Sequence, residues 1–182
     1  GNLEIANVKL WQPGNAYLYN LKVEALVGGN VADEYQLNVG VRTVKVEGNK
    51  FLVNNEPFYF TGFGMHEDHV VKGKGHDNSF MVNDFELLKW VGANSFRTSH
   101  YPYAEEVMDY ADRHGILIID ETAAVGFNQN FVGMFGGPKL PTYGPETANE
   151  KTQVNLLQAV RELIQRDKNH PSVVLWSITN ES

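Results

Sequence analysis

Between residues 16 and 46 the chain alternates: Tyr19, Leu21 and Val23 fall on one side of an extended backbone, Asn20, Lys22 and Glu24 on the other. That is the period-2 signature of a strand with one buried face. A Gly28-Gly29-Asn30 turn follows, after which Tyr35, Leu37, Val39 and Val41 repeat the pattern and Val44 and Val46 carry it to a Gly48-Asn49 turn. Antiparallel sheet is expected. A sandwich takes about seven strands, so these two or three read as the end of a β domain whose beginning is absent.

From Phe51 the period changes. Phe58-Tyr59-Phe60 is a short apolar run without alternation, as expected of a strand buried on both faces of a parallel sheet. Met81, Phe85, Leu88 and Val91 recur at helical spacing up to Gly92, which suits a helix C′ position. Ser95 to Ser99 reads as the next strand, Ala104 to His114 as a helix closed by Gly115, and Ile116 to Ile119 as a buried third strand. The Gly- and Pro-rich stretch from Gly126 to Asn149 is longer than a plain connection and reads as a functional loop or insertion. Asn149 is placed to cap a last helix whose Val154, Leu157, Val160, Leu163 and Ile164 are expected to face inward, until Asn169-His170-Pro171 stops it. Val173 to Ile178 is the fourth strand. Four strand-helix alternations predict right-handed βαβ units and a parallel sheet, either open and complete or half of an eight-stranded barrel.

Composition narrows the function classes. The 182 residues carry 15 Lys and Arg against 22 Asp and Glu, a net charge of -7. Such a surface does not neutralise phosphates, so no nucleic-acid partner is expected. The absence of cysteine removes disulfides, thiolate nucleophiles and Cys-ligated zinc. No apolar run approaches the length of a membrane span, and residues 1 to 10 lack the zones of a signal peptide. The chain reads as soluble and leaves cytoplasmic and secreted locations open.

In open and closed parallel sheets alike, ligands bind at the carboxyl ends of the strands. Those ends are Gly64-Met65-His66-Glu67-Asp68, Ser99-His100-Tyr101, Asp120-Glu121-Thr122 and Asn180-Glu181. Any one of them has an ordinary role open to it as a cap or a loop anchor; four together make a convergent rim. Glu181 follows the apolar run Val173 to Ile178, where partial burial would keep a carboxyl protonated as an acid. Asp120 and Glu121 read first as a structural acid pair bonding to neighbouring strands. His66 and His100 have a metal site with Glu67 or Asp68 open to them, without His-x-x-x-His spacing to support it, and no metal is assigned. His69, His76, His114 and His170 read as surface or capping residues. Tyr101, Tyr103 and Trp176 suit stacking on carbohydrate, and two carboxylates across a sugar ring are the minimum for glycoside hydrolysis.

The runs Pro57-Phe-Tyr-Phe-Thr-Gly-Phe-Gly64, His66-Glu-Asp68, Gly73-Lys-Gly75, Gly92-Ala-Asn94, Arg97-Thr-Ser-His-Tyr-Pro102, Asp120-Glu-Thr-Ala-Ala-Val-Gly-Phe-Asn128, Lys168-Asn-His-Pro-Ser172 and Trp176-Ser-Ile-Thr-Asn-Glu181 closely resemble glycoside hydrolase family 2. Within the family they resemble the members that act on β-linked glucuronic acid. Leu10-Trp11-Gln12-Pro13 resembles the family's immunoglobulin-like domain.

The resemblance implies an α/β chain: the C-terminal strands of an immunoglobulin-like β-sandwich over 1-48, then the first half of a (β/α)8 TIM barrel over 49-182. It implies a retaining hydrolase of β-glucuronides that uses no cofactor and is a homo-oligomer when complete, with the rest of the same polypeptide as this segment's partner. Glu181 is the implied acid/base, Asn180 the neighbour that bonds the sugar 2-hydroxyl, and His100 and His66 substrate-binding residues. The family's nucleophile and its glucuronate-gripping Asn and Lys fall on later strands. Ser182 stands where Pro usually follows the acid/base, and Met65 where a basic residue often precedes the His. Another family 2 glycosidase, such as a β-galactosidase, and an inactive carbohydrate-binding or structural piece are the alternative readings.

Overall fold

A computed structural model describes residues 3–128, 133–137 and 140–181. Ser182 and parts of the 126–149 segment, on which two of the expectations above rest, lie outside the described residues.

Strands β1 (Tyr19–Val27) and β2 (Asn30–Val39) form the expected antiparallel hairpin, with Tyr19 opposite Val39 and Leu21 opposite Leu37. Its alternation is only partly matched by burial. Val23, Leu26, Val31 and Tyr35, toward the turn, are exposed, while Tyr19, Leu21, Leu37 and Val39 at the other end of the hairpin are half-buried. Strands β3 (Val44–Glu47), β4 (Lys50–Val53) and β5 (Glu56–Phe58) make a separate antiparallel meander, and its first hairpin straddles position 48.

The meander corrects one expectation. The apolar run at Phe58 is not the first parallel strand: Phe58 pairs with Phe51 in the meander, and Tyr59 is exposed. The first parallel strand is β6 (Gly62–Met65), four residues further on. Two glycines obscured it. They are required by proximity, since a Cβ on Gly62 would lie 2.1 Å from the Ser95 carbonyl oxygen and one on Gly64 2.6 Å from Ser99 Oγ.

The minor ribbon β7 (Asp68–His69) and β8 (Gly73–Lys74) follows, then α1 (Asn78–Trp90), β9 (Ser95–Thr98), α2 (Glu105–His114), β10 (Leu117–Glu121), α3 (Glu150–Asp167) and β11 (Val173–Ser177). Several helix ends have a visible cause. Asp77 caps α1 by accepting the Ser79 and Phe80 amides, and Asn149 and Thr152 form a reciprocal capping box on α3. Gly115 ends α2 at φ 68°, where a Cβ would also strike the Gly14 amide. Val91 lies just past α1 as its C-cap and is exposed, so the inward stripe of α1 is Met81, Phe85 and Leu88. On α3 the expected inward stripe shrinks to Leu163 with partial cover of Val160 and Ile164, while Val154 and Leu157 face outward.

The parallel sheet runs in the order β6, β9, β10, β11, the order of the chain. Each new strand is added beside the last. A doubly wound open sheet reverses direction at a switch point; this succession has none and describes a partial (β/α) barrel. One core fills the space between sheet and helices, with Phe85, Phe96, Val107, Met108, Ala111 and Ile118 at its centre. A second cluster, Trp11, Val53 and Leu117, seals the strand entrances against the meander. No helix among the described residues is long and apolar enough to cross a membrane.

Candidate active site

Register decides which rim residues can meet. On β10, Ile118 belongs to the helix-side core, so Asp120 shares that face, and Glu121 projects to the opposite, interior face. Asp120 and Glu121 are therefore neighbours in sequence without being an acid pair in space.

Glu121 is 0% exposed and gathers donors from both flanking strands. Its Oε1 lies 2.7 Å from His100 Nδ1, while its Oε2 accepts Ser177 Oγ at 2.6 Å and faces Arg97 Nε at 3.3 Å. Its own amide donates to Thr98 Oγ1 at 2.8 Å. Arg97 also extends Nη2 to Asn180 Oδ1 at 3.3 Å. One buried carboxylate thus joins β9, β10 and β11, and its cationic partner reaches the Asn180-Glu181 pair. His66 stands edge-on to His100, with ring centroids 5.4 Å apart.

The end of β11 is stitched in place by the segment after β10. Thr122 takes both the Ser177 and Ile178 carbonyls as acceptors, and the Asn180 amide donates to the Ala124 carbonyl at 2.8 Å. Glu181 then turns into the left-handed region at φ 53° and is exposed. A non-glycine residue there is uncommon and marks a backbone held by its surroundings. The expected partial burial of Glu181 is not found: among the described residues β11 is the edge of the sheet.

On the helix face, Asp120 is also buried. Thr98 donates to its Oδ1 at 3.1 Å, while Oδ2 has no hydrogen-bond donor. Burial and the facing Asp167 carboxylate push Asp120 up to about 8, against the smaller opposing pull of Thr98 and Arg166. Asp167 itself is clasped by Arg166 at 2.7 and 2.6 Å.

Several expectations need correction. Tyr103 is 1% exposed, its hydroxyl bonded to the Met65 and Ser99 carbonyls, so it has no free face for a sugar. Trp176 pairs with Asp120 in register and shares its helix face, opposite the interior side of Ser177. Of the aromatic trio, Tyr101 alone stays at the rim, where its hydroxyl accepts the Glu67 amide and its ring carries Lys74 Nζ at 3.9 Å. The metal set considered for His66 and His100 does not converge: Glu67 turns toward His76, and Glu121 takes His100. His170 is not a surface group. It is largely buried with Nδ1 2.7 Å from Asp112 Oδ2, and Asp112 Oδ1 accepts the Ser172 amide, a lock between α2 and the start of β11. Burial lowers the His170 pKa, but Asp112 and its acidic neighbours outweigh this and raise it overall.

Glu121 bonds to the neighbouring strands as expected, but sequence reasoning missed its particular partners, His100, Arg97 and Ser177. The available signal was Arg97, a full charge inside a strand between the buried Phe96 and Thr98, which demands a counter-charge on the next strand. Beside the rim, a cavity of about 490 Å³ is bounded by Phe127, Tyr143, Asn149, Thr152 and Ile178. Phe127, Tyr143 and Asn149 in its lining belong to the segment expected to be a functional loop.

The rim of the partial barrel thus holds one buried carboxylate, two imidazoles and an exposed glutamate. The chain belongs to glycosyl hydrolases family 2: the family's TIM barrel domain matches residues 44–182, and the companion family 2 model matches residues 2–42. Among its relatives it is 55% identical over 183 residues to the β-glucuronidase of Paenibacillus borealis, covering 100% of this chain and 30% of that protein. The solved β-D-glucuronidase of Dictyoglomus thermophilum superposes with a TM-score of 0.87 at 50% identity, over 98% of this chain and 30% of that one. A β-glucuronidase of Ruminococcus gnavus gives 0.89 at 45% identity, over 97% and 30%. The chain thus spans about 30% of the length of the relatives it matches.

Proposed function

We propose that the protein carrying this segment is a retaining β-glucuronidase, in which residues 1-48 end an immunoglobulin-like domain and 49-182 supply the first half of the catalytic barrel. The observation that carries the reading is the convergence of His66, His100, Arg97, Asn180 and Glu181 on one rim, in a chain alike over its whole length to β-glucuronidases.

Glu181 is the acid/base. Its exposure leaves the carboxyl open to a glycosidic oxygen, and the Arg97 bond fixes Asn180 beside it for the sugar 2-hydroxyl. A second carboxylate attacks C1 and forms a glycosyl ester while Glu181 gives its proton to the departing aglycone oxygen. Water then attacks C1, Glu181 takes its proton, and the ester bond breaks to free glucuronic acid. That second carboxylate comes from outside these residues. Glu121 is sealed among its donors, and Asp120 faces the helices. His100 and His66 line the sugar subsite, and the reaction needs no cofactor.

The test is hydrolysis of 4-nitrophenyl β-D-glucuronide by the full-length protein, followed by NMR of the first anomer released. Turnover with the β-anomer appearing first is expected, and none from residues 1–182 alone. An α-anomer appearing first, or a β-galactoside preferred over the glucuronide, overturns the assignment.

A further inference from the structure

Among the described residues Glu121 is the most heavily partnered buried acid, yet it takes no part in bond making. An acid sealed from solvent persists as a charge only when paired, and here the pairing is directional. Oε1 meets His100 at Nδ1, so the neutral ring carries its proton on Nδ1, aimed at Glu121, and turns Nε2 outward as an acceptor. Oε2 meets Arg97, which in turn holds Asn180. Ser177 fills the remaining approach to Oε2 from β11.

The geometry points to Glu121 as a positioning residue for the sugar subsite, setting the tautomer and ring orientation of His100 so that Nε2 accepts a hydroxyl of the bound sugar. This deepens the reading of the same site and rests on it. Glu121 itself touches no substrate; it acts through His100. A wholly structural Glu121 would tie three strands together and leave kinetics untouched once the protein had folded.

The experiment is a double-mutant cycle in the full-length protein: wild type, Glu121→Gln, His100→Ala and the pair, assayed on 4-nitrophenyl β-D-glucuronide with thermal unfolding alongside. Each single change is expected to lower kcat/KM by about 100-fold, the size of loss that small misplacements at a reacting centre produce. The pair is expected to be no worse than His100→Ala alone. Losses that multiply in the pair, or His100→Ala at the wild-type rate, overturn the proposal. If Glu121→Gln does not fold, Glu121→Asp keeps the charge beside Arg97 but withdraws the oxygen from His100, and its partial loss must likewise vanish in the His100→Ala background. Should the wild type prefer a galactoside, the glucuronide reading fails, and the same cycle on the accepted glycoside still decides the role of Glu121.

Discussion

Trp11 and Asp112 are 101 positions apart in the chain and joined by one hydrogen bond, the indole Nε1 donating to the Asp112 carbonyl at 2.8 Å. Trp11 is 0% exposed, its amide donates to the Val41 carbonyl, and its ring packs with Val53 and Leu117 at the strand entrances. The segment ahead of the first hairpin is therefore part of the barrel's floor. Trp11→Phe should lose the buried bond at a cost of about 1–3 kcal/mol, and Trp11→Ala about 3–5 kcal/mol through the cavity it leaves. Urea unfolding of the full-length protein would measure both, and an unchanged midpoint for Trp11→Ala would remove Trp11 from the floor.

Asp120 makes stability depend on pH in a defined direction. Its pKa rises from 3.8 to about 8 on folding, so between those values the native state holds a proton that the unfolded chain has released. The contribution is complete below about pH 4 and is lost as pH rises through about 8. His170, also raised, acts in the same direction above its ordinary range. Asp120→Asn keeps an acceptor for Thr98 and supplies a permanent N–H toward Asp167. It should flatten the fall in Tm between pH 5 and 9, read by scanning calorimetry across that range, and be the more stable form at the alkaline end. A variant whose Tm falls as steeply as the wild type's would place the dependence elsewhere.

What was legible in the sequence follows from what each signal measures. Helix ends were read well because caps are local: Asn149, Gly92 and Gly115 all act within a turn of themselves. The strand Leu117–Glu121 was visible from its apolar run. The strand Gly62–Met65 was not, because its glycines are selected by the approach of a neighbouring strand, a contact without periodicity. The site followed the same division. That four strand ends converge could be argued from topology, but that Glu121 and Asp120 face opposite ways depends on register, and that Trp176 lies with Asp120 depends on pairing between strands over fifty residues apart. The outward face of α3 at Val154 and Leu157 was misread because helical periodicity marks apolar positions without saying what covers them.

Gly62 offers a sharp test of the first parallel strand. A methyl at Gly62 would meet the Ser95 carbonyl oxygen at 2.1 Å, and Ser95's strand β9 has no freedom to retreat, being paired with β10 on its other side. Gly62→Ala should destabilise by about 1–3 kcal/mol or more through forced separation of β6 from β9. Gly28→Ala, in the open hairpin turn at φ 58° with no atom within 4 Å, should cost only about 1 kcal/mol of backbone strain. Chemical denaturation of the two variants side by side would show the contrast, and equal costs would mean that β6 does not pack against β9 as described.

Glu181 presents the most direct chemical test, because an acid/base leaves a signature that a binding residue does not. Proton donation matters in proportion to how poorly the aglycone leaves. In Glu181→Ala of the full-length protein, an alkyl β-glucuronide should lose about 10²–10⁴-fold in kcat/KM, whereas 2,4-dinitrophenyl β-glucuronide, whose phenolate departs unprotonated, should retain most of its first step. Turnover of the activated substrate should then stall at the glycosyl ester, since no base remains to take the proton from water. Azide needs no such help: it should attack C1, displace the enzyme carboxylate and give β-glucuronosyl azide, restoring turnover. The open setting of Glu181 at the end of β11 leaves room for that anion. Equal losses on both substrates with no azide product would assign Glu181 to binding and require the acid/base to be sought elsewhere on the rim.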